Sequence, residues 1–432
     1  MHTLRTWSSA APRVFQGATS GCTRAFFLLV LLLLASGAFG SLHAQPSFPG
    51  SGSGVGVNLR VYPFDVWGPR VGPGIGAGLV VHNAGRSHAR WLLTAAPALH
   101  EQVGTLSFAS ANPDRADQYV LVSLRGLHTD RRWFYGLGPA SDVDTRLSFR
   151  QHAARAQVRL GQALWQRRLR VEPHATLQHV RTTGVTGNRS ALSPRSATHV
   201  RRLLGSGPPG ARQTGMRVGG TLRLEAPAPR SSDRAGVTLQ TTWDRYLDLS
   251  GSELAFDQWD VEVRGVVPLQ GQHRLALHAG LVRTWSRDDA PVPFYQRPTL
   301  DGSLVPGWPR SRFVGADRVA TSIRYRFPLI NEPPLFRLGG HVGLHAASIY
   351  DNVTEQFAAA LAFDRTRDVD ATTYPLQPSA SLGVSMEVPM RPRTQIEFAV
   401  GISPEGLSAA RLTMHRPLLL LRPPHHLSRS LR

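Results

Sequence analysis

"SLVPGWPRSRFVGADRVATSIRYRFPL" runs from Ser303 to Leu329, and its two halves read differently. The first is rich in Gly and Pro and carries Arg310, Arg312 and Arg318. In the second, Val319, Thr321, Ile323, Tyr325 and Phe327 alternate with Ala320, Ser322, Arg324 and Arg326. Successive side chains of a strand point to opposite sides, so one face is oily and the other carries two arginines. In a soluble sheet the charged face meets water. In a membrane barrel the oily face meets lipid and the charged face lines a lumen. The rest of the chain decides between these readings.

The same period of two recurs far from this segment. Leu169, Val171, Ala175 and Leu177 face away from Arg170, Glu172, His174 and Gln178. Val261, Val263 and Val267 alternate with Asp260, Glu262 and Arg264, and Ile396, Phe398, Val400 and Ile402 with Gln395 and Glu397. No sustained helical period interrupts the series. A soluble β-sandwich shares this alternation, but three features favour a barrel. The strands recur without a change of composition that marks a domain boundary. Short Gly/Pro turns alternate with the long connections Gly184–Gly215, Ser286–Arg318 and Asp351–Tyr374. Aromatics sit near strand ends: Trp67, Trp91, Trp133, Phe134, Tyr135, Trp243, Tyr246, Trp285, Trp308 and Tyr350. Asymmetric turns and aromatic girdles belong to membrane barrels, and roughly 23 residues per strand and connection gives about 16 strands, an even number. The expected fold is all-β, a transmembrane antiparallel barrel.

The amino terminus reads as an export signal over residues 1–44. Arg5, Arg13 and Arg24 give a positive start, Ala25–Gly40 is apolar, and Ser41–Ala44 offers small residues for cleavage. The apolar run falls short of the ~20 residues of a spanning helix. Residues 45–58 read as a linker, 59–421 as the barrel and 422–432 as a basic tail. Cys22 is the only cysteine, so the expected mature chain has no disulfide and no thiolate-held metal. The formal net charge is +20, and all 49 basic residues are arginine. With an export signal, that charge points to anionic lipid headgroups or lipopolysaccharide rather than to nucleic acid. Arg189, Arg195, Arg201, Arg202 and Arg212, in the first long connection, are expected at headgroup level.

Gly72, Gly74, Gly76 and Gly78 recur at every second residue, which is neither a dinucleotide fingerprint nor a P-loop. A glycine at alternate positions keeps one strand face bare. No G-x-S-x-G elbow and no H-E-x-x-H spacing occurs, and His82, His88, His100 and His278 fall in no catalytic pattern. No cofactor and no enzymatic activity are expected.

Several stretches resemble the BamA/TamA family of bacterial surface-antigen barrels. "VPGW", Val305, Pro306, Gly307 and Trp308, stands where the family has a Val-Arg-Gly-Phe-like motif, and Ile323–Leu329 where it has Glu-Tyr-Arg-Phe-Pro-Leu. Pro293–Ser303 resembles the approach to that motif, "RWFYGLGPAS" (Arg132–Ser141) a Phe-Tyr-Gly-Leu-Gly stretch, and Gly401–Leu418 the last strand. The resemblance implies a loop folded back into the lumen, an outer-membrane location, and a role in outer-membrane protein assembly or translocation, with client barrels as partners. It also implies a loose seam between the first and last strands, to which the glycines at 72–78 are assigned. In the family a loop arginine pairs with two acids on neighbouring strands. Here those positions hold Pro306, Arg324 and His345, so that lock is expected to be absent, and Arg324, Arg326 and His345 are expected to face the lumen. The family's periplasmic POTRA modules are expected to be absent before residue 59. The alternative function is a passive pore, anion-preferring if the lumen is basic, or a structural outer-membrane barrel.

Overall fold

The computed structural model describes residues 56–63, 75–82, 90–111, 117–138, 141, 147–166, 168–187, 212–226, 235–251, 254–287, 292–300, 304–309, 311–332, 336–356, 376–388, 394–407 and 411–415. All lie in one compact unit, Ser53–Arg432. Its strands are β1 (Gly56–Pro63), β2 (Ile75–His82), β3 (Arg90–Pro97), β4 (Glu101–Ala111), β5 (Gln118–Phe134), β6 (Leu147–Leu164), β7 (Leu169–Gly187), β8 (Arg212–Ala226), β9 (Gly236–Asp248), β10 (Ala255–Pro268) and β11 (Arg274–Ser286). After an inserted segment follow β14 (Asp317–Glu332), β15 (Phe336–Tyr350), β16 (Gln377–Val388), β17 (Thr394–Ser403), the two-residue β18 (Gly406–Leu407) and β19 (Arg411–His415). The insert holds a 3-10 turn, Phe294–Gln296, and a two-stranded piece, β12 (Thr299–Leu300) with β13 (Phe313–Val314).

Each long strand pairs antiparallel with the next, from β1–β2 through β16–β17, and β17 also pairs with β19. One 17-stranded sheet results, of which all but β18 are full members of the meander. Among the described residues sixteen such strands occur, against the about 16 that the spacing of the pattern predicts. Among the described residues no register joins β1 to β19.

The sheet is nevertheless curled. The guanidinium of Arg312 touches both Ser141, beyond β5, and Glu405, beyond β17. In a flat meander, ten strand spacings of about 4.8 Å would hold these two ends roughly 48 Å apart. Only a sheet rolled towards a ring brings them to one side chain.

Burial is inverted relative to a water-soluble protein. On β15, His341 and His345 are buried while Val342 and Leu344 are exposed; on β16, Ser379 and Ser381 are buried while Leu382 and Val384 are exposed. On β7 the buried residues are Glu172, His174, Thr176 and Gln178, and Leu177 between them is 49% exposed. Water would penalise such an outside, whereas hydrocarbon solvates it, and the antiparallel ladders satisfy the backbone between neighbouring strands. Leu344, 64% exposed, is therefore a lipid-facing position. Leu344→Arg is expected to lower bilayer stability by about 2–4 kcal/mol if it lies near the midplane. Urea unfolding in lipid vesicles would measure this, and an unchanged midpoint would contradict it.

The expected girdle needs correction. Trp91, Trp243 and Trp285 are exposed, but Phe134, Tyr135, Tyr246, Trp308 and Tyr350 are buried. Phe134, Tyr135 and Tyr246 pack against the inserted segment, and Trp308 belongs to it. Trp67 lies outside the described residues.

Candidate functional site

The insert between β11 and β14 lies against the inner face of the sheet, held by three apolar clusters. Val292 joins Tyr246, Leu254 and Phe256 at β9 and β10. Phe294 and Val314 join Phe134, Leu147 and Phe149 at β5 and β6, with Phe294 and Phe134 ring centroids 4.6 Å apart. Leu300, Val305, Trp308 and Phe313 join Ala320, Ala347 and Ile349 at β14 and β15. One segment thus reaches widely separated parts of the wall.

At its tip Pro306 and Gly307 meet β17 backbone to backbone. Gly307 has φ +107, and a Cβ there would strike the backbone of Ile402; a Cβ on Gly401 would strike Pro306 and Gly307 in turn. Two glycines are required because two main chains touch. Ser403 Oγ donates to the Gly307 carbonyl at 2.9 Å, and Trp308 Nε1 donates to the Pro378 carbonyl of β16 at 3.1 Å. Val305, fully buried, and Trp308 fill the space behind.

The segment keeps an arginine anchor of its own. Arg312 Nε and Nη2 each lie 2.9 Å from Glu405 Oε1, and Arg312 Nη1 donates to Ser141 Oγ at 2.7 Å. Its guanidinium lies over Tyr135 and Phe313, 5.3 and 4.8 Å from the ring centroids. Gly138 N donates to the Val314 carbonyl at 2.8 Å. Three stretches far apart in sequence, Arg132–Ser141, Pro293–Val314 and Gly401–Glu405, therefore converge on one site. Motif position alone drew attention to Pro306 and missed Arg312, although its place in the Gly/Pro-rich half made it a candidate.

Arg324 and Arg326 share the face of β14 that carries the buried Ala320. Their cross-strand partners are Gly343 and His341, and His345 is opposite Ser322. That face continues through Ala320 and Ala347 into the cluster under the insert. Arg324, where the family resemblance implies an acid, pairs instead with Glu397 of β17: Nη1 lies 3.5 Å from Oε1, and His341 Nε2 lies 3.8 Å from the same oxygen. His345 Nε2 lies 2.9 Å from Ser381 Oγ. The expected loss of charge pairing is thus replaced by two relocated ion pairs, Arg312–Glu405 and Arg324–Glu397, both closing on β17 or the turn after it.

The glycine-rich strand is not the edge of the sheet. Gly76 and Gly78 lie in β2, paired with Tyr62 and Arg60 of β1, and Gly78 also with Thr94 of β3. The outermost described strands are β1 and β19. Gly72 and Gly74 lie outside the described residues, as do His88, most of the long connections and residues 1–55. Of the remaining histidines, His278 Nε2 lies 2.7 Å from Glu262 Oε1 and His100 Nδ1 3.2 Å from Asp130 Oδ1. No group of three metal-ligating side chains occurs among the described residues.

This architecture is that of solved outer-membrane barrels. BamA from Haemophilus ducreyi lacking POTRA domains 1–3 is 15% identical with a TM-score of 0.54, over 84% of this chain and 70% of that one. CdiB from Escherichia coli is 13% identical with a TM-score of 0.52, over 86% of this chain and 62% of that one. No family model and no curated protein matches the sequence. The chain shares the BamA-like β-barrel fold of these structures, with a segment packed against the inner face of its sheet.

Proposed function

We propose that the protein is an outer-membrane barrel of the assembly or translocation class, exported by residues 1–44 and acting through the edge between β1 and β19. The observation that carries this reading is the docking of the inserted segment onto β17 and its turn, next to the last strand. An unpaired strand edge presents a row of N–H and C=O groups that an incoming strand can extend by β-augmentation. β19 pairs with β17, and the Pro306–Gly307 tip and Arg312 hold β17 and its turn from inside. The segment thereby sets the position of the edge while filling the bore, with Arg324, Arg326 and His345 lining what remains. No bond chemistry, nucleotide or metal takes part.

The test is a reversible cross-link across the seam. One cysteine is placed in Gly56–Pro63 and one in Arg411–His415, in a chain whose only native cysteine, Cys22, lies in the expected signal. The disulfide is expected to abolish insertion of a client barrel into proteoliposomes, and reduction to restore it. Insertion by the cross-linked protein at the uncross-linked rate would refute the proposal. So would stable anion-selective conductance in planar bilayers without any insertion activity, the signature of a passive pore.

A further inference from the structure

The lipid-facing side carries a polar row that the proposed seam and the lumenal segment leave unexplained. His128 of β5 is opposite His152 of β6, His152 is opposite Arg181 of β7, and Arg181 is opposite Arg212 of β8. Gln151, Thr182 and Gln213, each next in sequence to a member of the row, are buried against the interior. Strand alternation therefore turns the row outward, the same way as Leu124, Val158, Leu177 and Val218, which are exposed. One cross-strand row nearer the short turns stand Gly126, Ala154, His179 and Thr214, and beyond them Leu124, Ala156, Leu177 and Met216.

The depth of the row is informative. β7 leaves its short turn at Leu169, and Arg181 lies in the second half of this 19-residue strand. A spanning strand needs about 9–11 residues, so the row falls where hydrocarbon gives way to headgroups. It lies towards the end of the strand that carries the long connection after Gly187.

Like charges placed directly opposite on neighbouring strands repel. Arg181 and Arg212 are such a pair, and among the described residues neither has an acidic partner. Arg181 Nε is buried with no hydrogen-bond partner, and the two imidazoles lie tilted at 34° with centroids 4.4 Å apart and Nδ1 atoms 3.1 Å apart. Asp130, two residues along β5 from His128, is engaged by His100. Arg150 adds a further cation on the same side, opposite Thr183. An arrangement of this kind is stable when an anion sits against it. Guanidinium groups bind phosphate bidentately, and a phosphomonoester brings about −1.5 to −2 charge at neutral pH. Four strands side by side span roughly 14 Å, the size of a sugar headgroup with phosphates at both ends.

We infer that the outer face of β5–β8 binds a phosphomonoester-bearing glycolipid through His128, His152, Arg181 and Arg212, with its acyl chains along the Leu124–Leu177–Val218 surface. The test uses the full chain, folded in detergent, with native mass spectrometry of bound lipid. The probes are bisphosphorylated lipid A, its monophosphoryl derivative and phosphatidylglycerol. The unaltered protein is expected to retain bisphosphorylated lipid A most tightly. R181Q/R212Q should weaken that binding about a hundredfold, since each lost charge-assisted contact is worth roughly a factor of ten. H128Q/H152Q should weaken it less, and provides a second variant should the first fail to fold, judged by heat-modifiable gel mobility. R168Q/R223Q, an equal charge loss near the short turns, should leave it unchanged. Equal losses in both arginine doubles, phosphatidylglycerol bound as tightly as lipid A, or no retained lipid would each overturn the inference.

Discussion

Glu405→Ala is expected to destabilise the folded barrel by about 3 kcal/mol, because it strands a buried guanidinium. The Arg312 side chain is 7% exposed and Glu405 supplies its counter-charge at 2.9 Å. Ser141 and the rings of Tyr135 and Phe313 remain after the substitution, but none of them is anionic. The pair also ties the inserted segment to the turn after β17, so its loss should be felt at the last strand as well as in the lumen. The measurement is urea unfolding in lipid vesicles, with Glu405→Asp as a partial rescue. A shift below about 0.5 kcal/mol, typical of an exposed ion pair, would mean that Arg312 is anchored by its other contacts alone.

Gly401→Leu is expected to expel the tip of the inserted segment. A Cβ on Gly401 already overlaps Pro306 and Gly307, and both opposing groups are backbone, so no side chain can turn aside. Overpacking of this kind costs about 1–3 kcal/mol. That suffices to undock Pro306 and Gly307 while the clusters around Phe294 and Leu300 still hold. Trypsin cleavage after Arg312 should become fast in the variant and conductance in planar bilayers should rise, since the segment fills the bore. Gly307→Ala should act in the same direction, because it adds a strained φ to the same collision. Protease resistance and conductance equal to the unaltered protein would show that the tip does not depend on this contact.

The strands were legible in the sequence because their signal is local. Val319 to Phe327 need only a period of two to be read, and the same holds for β7 and β10. Which face meets lipid followed once the chain was taken as exported. The site was legible where a motif is contiguous: Val305 to Trp308 form the docked tip, and Arg132–Ser141 and Gly401–Glu405 form its seat. What could not be read was pairing at a distance. Arg312 and Glu405 are 93 positions apart, and only the curl of the sheet brings them together. Arg324 reaches Glu397 across two intervening strands, a contact that no cross-strand rule gives. Aromatics near strand ends looked alike in sequence, yet Trp243 points outward and Tyr246, three residues on, inward, because an odd step along a strand reverses the face. The alternate glycines suggested an edge, but a bare face and a free edge are different properties, and β2 is paired on both sides.

Inverted burial is the property from which the rest follows, and single cysteines at consecutive positions of β14 test it most directly. Ile323→Cys, Arg324→Cys, Tyr325→Cys and Arg326→Cys, each in a chain whose one cysteine, Cys22, is replaced by serine, are reconstituted in vesicles and labelled with a membrane-embedded and a water-soluble maleimide. The lipid probe should reach positions 323 and 325 and leave 324 and 326 to the aqueous one. Lipid labelling at 324 and 326, or aqueous labelling at all four, would contradict a barrel with its oily face in the membrane.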